Sequence, residues 1–137
     1  SIDSVKLARR LDRFAAEAAC GVPILLEVNT SGESSKHGFA PESVEAAVEA
    51  MSGFQHLLIQ GLMTMAPIVD DPERTRPVFA SLSALRLRLA DRFPDHDWRD
   101  LSMGMTDDFE VAIEEGATLV RVGRAIFSPD LPPWRKG

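Results

Sequence analysis

The chain has 137 residues, of which 45% are hydrophobic and 26% charged, and these proportions are ordinary for a single globular domain. Its 15 Lys and Arg against 21 Asp and Glu give a net charge of −6, and no basic block occurs, which argues against a nucleic-acid-binding protein. No apolar run approaches the ~20 residues that a membrane-spanning helix requires. Neither nucleic acid nor membrane is therefore expected as a partner.

Cys20 is the single cysteine, so no intrachain disulfide can form. A solitary cysteine outside any redox or metal motif is expected to be a small buried hydrophobe, and it fits a reducing compartment. The opening stretch SIDSVKLARRL is charged and amphipathic, unlike a signal peptide. We therefore expect a cytoplasmic protein.

The first half of the chain predicts two helix–strand units. Apolar residues at helical spacing predict a first helix, which Asp3 caps and Gly21 ends. The strand after it is ILLEVN, residues 24–29, and a Gly- and Ser-rich loop, TSGESSKHGF, follows. The second unit has a helix that begins at Pro41 and the strand LLIQGLMTM, residues 57–65.

The second half predicts two further units. A third helix begins at Asp71, and Pro77 should kink or restart it before the strand LSMGM, residues 101–105. An Asp-x-x-Glu spacing that starts at Asp107 predicts a capping box for a fourth helix, and the last strand is TLVRVG, residues 118–123. Three residues of the fourth helix are expected to point inward: Phe109, Ala112 and Ile113.

The order α-β-α-β-α-β-α-β is typical of parallel strands joined by right-handed crossovers. Two architectures remain open, a doubly wound open sheet and part of a (β/α)8 barrel, because a complete barrel requires roughly 250 residues. No linker or repeat divides the chain, so residues 1–137 are expected to form one domain. In both architectures ligands bind at the carboxyl ends of the strands.

An arginine stands inside the last predicted strand, in the run VRV. Arg121 shares a strand face with Gly123, and Glu27 lies close to the carboxyl end of the first strand. A buried arginine requires an anion, a carboxylate or a ring nitrogen, since an unpaired buried charge is costly. The residues leave two interpretations open: a structural ion pair with Glu27, or contact between Arg121 and a ligand.

Small and polar residues at the ends of the last two strands suit a phosphate. Ser102 provides a hydroxyl, Gly104 permits close approach of a ligand to the backbone, and Gly123 and Arg124 can offer amides in a tight turn. Phosphate sites of barrels are often built from the loops after the last two strands. The alternative is a pair of ordinary strand–helix turns in which small residues serve packing.

Other candidate sites are weaker. GESSKHG, residues 32–38, lacks the spacing of a nucleotide-binding loop, and Lys36 is expected to be a solvated loop lysine that could reach a phosphate. His37, His56 and His96 are isolated from one another, so no metal site is expected.

Several motifs together resemble one family. LLEVNTSGESSKHGF, GLMTMAP, LSMGMTDDFEVAIEEGATLVRVGRAIF and the opening SIDS are similar to the pyridoxal phosphate homeostasis proteins, over nearly all of the chain from Ser1 to about Phe127. Members of that family are single-domain (β/α)8 barrels akin to the N-terminal barrel of alanine racemase. The resemblance implies that this chain supplies about the last four strands of such a barrel.

The resemblance also implies a pyridoxal 5′-phosphate site. Ser102 would bind the phosphate together with the backbone amides of Gly123 and Arg124, Met63 would line the pocket, and Arg121 would face the pyridine nitrogen. Because arginine does not give up its proton, that nitrogen stays unprotonated and the ring becomes a poorer electron sink. Such a site suits a protein that holds and delivers the cofactor.

One departure from the family pattern concerns the covalent anchor. The family holds the cofactor as a Schiff base on a lysine in an apolar-Val-Ser-Lys motif, whereas this chain has only Lys6, Lys36 and Lys136, and none matches that motif. We therefore expect the Schiff-base lysine upstream of this chain, which would be the C-terminal half of a longer protein. The strand edges of this half should pair with the missing N-terminal half or with a second copy.

Three functions are compared. The first is pyridoxal phosphate binding in intracellular vitamin B6 homeostasis, by a protein that is not an enzyme in its own right, although a weak racemase-type side activity is compatible with the site. The second is a pyridoxal phosphate-dependent amino-acid racemase, which would need an appended β-domain for which we expect no room after Trp134. The third, a generic phosphate-ligand barrel, would need an acid–base pair or a strand lysine. The sequence favours the first.

Overall fold

A computed structural model describes residues 1–33 and 37–127. Within these ranges the helices are α1 (Val5–Glu17), α2 (Val44–Ala50), α3 (Arg76–Arg92), α4 (Phe109–Glu114) and α5 (Arg124–Phe127). The strands are β1 (Val22–Glu27), β2 (Leu57–Met63), β3 (Asp100–Met105) and β4 (Leu119–Arg121). Short 3-10 helices, Pro41–Ser43 and Pro72–Thr75, lead into α2 and α3. The predicted alternation of helices and strands is therefore confirmed.

The four strands form one parallel sheet in the order β1-β2-β3-β4. Sequential order without reversal is that of a barrel, because a doubly wound sheet reverses its strand order at a switch point. The register pairs Glu27 with Met63 and Met63 with Ser102, so these three residues lie on the same face of the sheet.

The core lies between the sheet and the helices on its other face. Leu26 and Leu62 are fully buried beneath the helices, whereas Leu25 and Met63 on the open face are only half-buried. Burial of one such leucine stabilises the fold by roughly 1.5–3 kcal/mol. The largest buried side chains of β3 and α3 complete this layer: Leu101, Met103, Phe79, Leu82 and Leu89.

The start of α1 differs from the prediction. Ser4, and not Asp3, caps the helix: its hydroxyl accepts from the amide of Leu7 at 3.3 Å. Asp3 lies one residue too early and accepts from the Ser4 hydroxyl at 3.1 Å instead. Cys20 is exposed, contrary to expectation, because α1 ends at Glu17 and the cysteine lies in the turn beyond its buried stripe.

The start of α3 follows the prediction. Asp71 accepts from the amide of Glu73 at 3.1 Å and begins a short 3-10 helix. The α-helix starts afresh at Arg76, with Pro77 in its first turn, where a missing N–H costs no hydrogen bond. Pro77 therefore restarts the helix.

The capping box predicted at Asp107 does not form. Helix α4 begins at Phe109, so Asp108 stands at the capping position. Its Oδ1 accepts from the amide of Met105 at 2.6 Å, and Asp107 pairs with Arg124 instead.

The buried face of α4 also differs from the prediction. Ala112 is buried as expected, but Ile113 is 53% exposed and Val111 occupies the inward position. Since the helix starts one residue later than predicted and has only six residues, its buried stripe is narrow.

Two glycines permit close packing within the sheet. Gly61 has φ +150°, and a Cβ there would lie 1.9 Å from the carbonyl oxygen of Asp100. Gly104 has φ +90°, and a Cβ there would lie 2.6 Å from the Ala112 side chain. Gly104 therefore allows helix α4 to pack closely on β3, whereas the sequence analysis expected it to allow the close approach of a ligand.

Candidate functional site

The guanidinium of Arg121 crosses the carboxyl ends of three strands. From β4, its Nη1 donates to the Ser102 hydroxyl on β3 at 2.6 Å, and its Nη2 donates to the carbonyl oxygen of Thr64, just after β2, at 2.9 Å. Among residues 1–33 and 37–127, Arg121 pairs with no carboxylate. The predicted alternative of an ion pair with Glu27 is wrong: Glu27 acts on the charge of Arg121 through space without forming an ion pair with it, and it accepts from the Ser1 hydroxyl at 3.2 Å.

The two groups that accept hydrogen bonds from Arg121 are both neutral. Burial lowers the pKa of Arg121 from its usual value, and the negative charges of Glu27 and Asp108 partly offset that effect. Arginine still remains protonated at any physiological pH, because a guanidinium does not give up its proton in proteins. A permanent, half-buried cation therefore stands at the strand ends, able to donate to an anion or an unprotonated ring nitrogen.

Thr64 fixes the position of this guanidinium. Its side chain is buried, and its hydroxyl donates to the Val28 carbonyl at 2.7 Å and lies 3.0 Å from the Thr30 hydroxyl. Its amide donates to the carbonyl of Ser102 at 3.1 Å. Thr64 thus connects the ends of β1, β2 and β3. Sequence reasoning missed it, although a lone hydroxyl near the end of an apolar strand was an available signal.

Two strand–helix turns meet just beyond Arg121. The amide of Ala125 donates to the Thr106 hydroxyl at 3.4 Å, which brings the turn after β3 against the turn after β4. Gly123 is exposed, and a Cβ built there meets no atom of the described residues within 4 Å, its chain neighbours apart. In the described part of the chain, the turn therefore has open space beside Gly123. Thr106 was also missed from sequence, although a hydroxyl directly after a strand was the signal.

Ser102 and Met63 lie deeper than this turn. Ser102 is 6% exposed, and its hydroxyl is engaged by Arg121. Met63 is half-buried and stands beside Ser102 in the register of β2 and β3. The structure thus brings Met63, Ser102 and Arg121 together on one face, and their predicted contacts with a cofactor stay predictions.

Three charged side chains surround the turn. Arg124 pairs with Asp107, and the two side chains are 70% and 55% exposed. Asp108 is buried and is held by the amide of Met105. Among the described residues, these three side chains place two carboxylates and one guanidinium at the turn, and the charge of Arg121 also acts on Asp108.

A cleft of about 220 Å³ adjoins the same turns. Its walls are mostly apolar, and the Asp107–Arg124 pair contributes to its polar part. The cleft is lined by Pro67, Ile68, Val69, Pro72, Met105, Asp107, Asp108 and Arg124.

Lys36 lies outside the described residues, so its reach toward a phosphate stays a prediction. In the part of the chain that the structure describes, no group of three or more His, Cys, Asp or Glu side chains could hold a metal ion. No helix there has the length and apolar character needed to cross a bilayer.

Residues 1–130 match the family model described as alanine racemase, N-terminal domain. The chain belongs to this family.

Three relatives of this chain are each named pyridoxal phosphate homeostasis protein. The proteins of Aquifex aeolicus and Vibrio cholerae are both 39% identical to this chain over 127 residues. The matched region covers 93% of this chain, 55% of the Aquifex protein and 53% of the Vibrio protein. The mouse protein is 37% identical over 132 residues, 93% of this chain and 48% of its own. The chain thus spans about half the length of these relatives.

Solved structures agree with the family assignment. PipY of Synechococcus elongatus superimposes with a TM-score of 0.85 without PLP and 0.83 with PLP bound, at 35% identity, over 93% of this chain and 59% and 58% of PipY. Diaminopimelate decarboxylase of M. jannaschii, at 12% identity and a TM-score of 0.75, shares the fold alone. The expected fold class is confirmed: the four parallel strands are part of a TIM-type barrel of the alanine racemase N-terminal kind.

Proposed function

We propose that this chain is part of a pyridoxal 5′-phosphate-binding protein of intracellular vitamin B6 homeostasis. One observation carries the proposal: a permanent cation, Arg121, is held at the strand ends by neutral groups, two residues before an open glycine turn. The name of the 39% identical relatives and the PLP-bound PipY structure support the same cofactor.

The residues present fit the two polar ends of that cofactor. Arg121 would donate to the pyridine nitrogen, and the amides of Gly123 and Arg124 would donate to the phosphate in the space that a Cβ at Gly123 would fill. The resemblance assigns the phosphate hydroxyl to Ser102, and the contact with Ala125 adds Thr106 as a second candidate. Met63 would form the wall of the pocket beside Ser102.

The site favours retention of the cofactor over strong catalysis. When bound, pyridoxal phosphate supplies an aldehyde that combines with amines and a ring that withdraws electrons. Arg121 keeps its own proton and would leave the ring nitrogen without one, which would weaken that withdrawal. We therefore propose a protein that binds and delivers the cofactor and is not an enzyme in its own right. The homeostasis names of the relatives support this choice over the racemase alternative.

The covalent anchor would come from outside these 137 residues. We propose that the chain is one domain-sized half of a barrel and that the lysine for the aldehyde lies in the polypeptide that completes it. A partner half or a second copy would then cover the remaining strand edge. We place the protein in the cytoplasm, on the grounds of its cysteine usage.

A methyl group at the open turn tests the proposal directly. Gly123→Ala should fold normally, because its Cβ meets no atom within 4 Å, yet it should occupy the space assigned to the phosphate. Equilibrium dialysis with pyridoxal 5′-phosphate and with pyridoxal measures the preference for the phosphorylated form. We expect the wild type to prefer it and the variant to lose most of that preference.

Gly53→Ala is the matched control, because its Cβ also enters open space, in the connection between α2 and β2. It should keep the wild-type preference and a similar urea midpoint. Equal affinity of the wild type for both ligands would overturn the proposed phosphate site.

A further inference from the structure

The side chain of Arg124 has a place in the site that its backbone role does not explain. A backbone amide can be contributed by any residue except proline. The guanidinium nevertheless reaches across to the turn after β3 and pairs with Asp107. Asp107 directly follows Thr106, whose hydroxyl accepts from the amide of Ala125. The ion pair therefore links the neighbours of the groups proposed to hold the phosphate.

The charges around the turn would oppose a phosphate without Arg124. Asp108 is 7% exposed and fixed by the amide of Met105, so its negative charge is built into the turn. Asp107 adds a second carboxylate at the surface. The guanidinium of Arg124 pairs with Asp107, whereas that of Arg121 interacts with Asp108 only through space and donates its hydrogen bonds to Ser102 and Thr64.

We infer that the Arg124 side chain is a specificity-determining residue, which offsets Asp107 and so lets this turn favour a phosphate-bearing ligand over its unphosphorylated form. The inference rests on the proposed function. A purely mechanical role, in which the pair only holds the two turns together, is the competing explanation. The two explanations predict different changes in the preference for the phosphorylated ligand. If the pair acts mechanically, removal of either partner lowers the preference. If it acts electrostatically, loss of the cation lowers the preference and loss of the anion raises it.

The experiment measures the preference for pyridoxal 5′-phosphate over pyridoxal by equilibrium dialysis in Arg124→Gln, Asp107→Asn and the double variant. We expect R124Q to lower the preference about three- to tenfold and D107N to raise it by a similar factor, as for charges a few ångströms from an exposed dianion. The double variant should lie within about twofold of the wild type. These changes should shrink on going from low ionic strength to about 0.5 M salt, because exposed charges are screened.

Arg92→Gln and Glu49→Gln are the matched controls. They remove the same charges from another exposed ion pair, between α3 and α2, with an N–O distance of 3.4 Å and side chains 61% and 57% exposed. They change the net charge equally and should leave the preference unaltered. A third variant, Arg124→Lys, keeps the charge without the planar fork and should stay close to the wild type.

Each outcome decides between the explanations. Lower preference in both R124Q and D107N, or in R124K, would overturn the electrostatic role in favour of a mechanical one. Changes no larger than those of the controls would overturn the inference while leaving the proposed function intact. A wild type without any preference would overturn the proposed function, and with it the inference.

Discussion

Two hydroxyl groups compete for the phosphate of the proposed cofactor. The Ser102 hydroxyl accepts from Arg121 at 2.6 Å and is nearly buried, whereas the Thr106 hydroxyl lies at the turn beside Ala125. Each hydroxyl accepts one hydrogen bond and keeps its own proton to donate, but Ser102 also fixes the guanidinium of Arg121. We therefore propose that Thr106 serves the phosphate and that Ser102 serves mainly to hold Arg121.

We expect Thr106→Val to weaken pyridoxal 5′-phosphate binding by about 1.5–3 kcal/mol, the contribution of a hydrogen bond to a charged group, and to leave pyridoxal binding unchanged. Ser102→Ala should weaken both ligands to a similar degree, because it loosens Arg121. Parallel titrations of the two ligands measure this difference. A loss of phosphate preference in Ser102→Ala alone would restore Ser102 as the phosphate hydroxyl.

Arg121→Met tests the cation itself. Methionine keeps an apolar stem but loses both the charge and the hydrogen bonds to Ser102 and Thr64. We expect weaker retention of pyridoxal phosphate and a shifted absorbance spectrum of the bound cofactor, because the ring nitrogen can then take up a proton. The measurement is a pH titration of that spectrum, with Arg92→Met as the control for loss of an exposed cation. Identical affinity and spectra in wild type and variant would contradict the assigned role.

At the scale of elements, one arginine joins the start of α3 to the end of α4. Arg76 donates to Glu73 at 2.8 Å, to Glu114 at 2.5 Å and to Glu115 at 2.8 Å. Isolated surface ion pairs contribute little, but a network with planar geometry on several carboxylates is a more favourable case. The contact holds α4 in place, and with it the turn after β3 that carries Thr106.

The Arg76 network makes the fold less stable as the pH falls. The hydrogen bond from Arg76 lowers the pKa of Glu73 below its usual value of 4.5. The stabilisation of the fold by this contact is therefore fully present at pH values above 4.5. That stability is lost as the pH falls through the lowered pKa, because the carboxylate must be protonated.

We expect Arg76→Gln to unfold at lower urea concentration than the wild type at pH 7, and the difference between the two urea midpoints to be smaller at pH 3. Urea titrations at both pH values, repeated in high salt, measure this. A difference between the two proteins that persists unchanged at pH 3 would contradict the electrostatic origin.

At the scale of the whole molecule, the two edges of the sheet differ. The outer edge of β1 is partly covered, because Ile2 pairs with Leu26 and Phe39 pairs with Val28. Within the described ranges no strand pairs with the outer edge of β4, where Leu119 and Val120 are 47% and 39% exposed. An open edge with apolar side chains is a template for pairing with another chain.

We therefore expect the 137-residue chain to self-associate at micromolar concentration, and Val120→Lys to reduce that association, because a charged side chain on an edge strand opposes pairing. Sedimentation velocity over a concentration series measures it. Leu87→Lys, at an exposed apolar position on α3, is the control and should leave association unchanged. A wild type that is monomeric throughout would contradict the open-edge interpretation.

Much of the fold follows from local sequence patterns. Apolar runs at strand length and stripes at helical spacing predicted the four parallel strands and the helices between them, because each pattern acts over fewer than about twenty residues. Element ends were less well predicted. Ser4 caps α1 in place of Asp3, and Asp108, which stands at the capping position of α4 in place of Asp107, accepts from the amide of Met105 and not from a helix amide, since a shift of one residue changes which amide a side chain can reach.

The sequence by itself determined the parallel architecture, the family resemblance and the arginine that needed a polar partner. Only the tertiary structure decided what that partner is: the Ser102 hydroxyl, 19 residues away, and the Thr64 carbonyl, 57 residues away. The tertiary structure likewise joined Thr106 to the turn after β4 and Arg124 to Asp107. The physical reason is that periodicity records which face of an element is buried, whereas contacts between strand ends depend on the register in which distant strands pair.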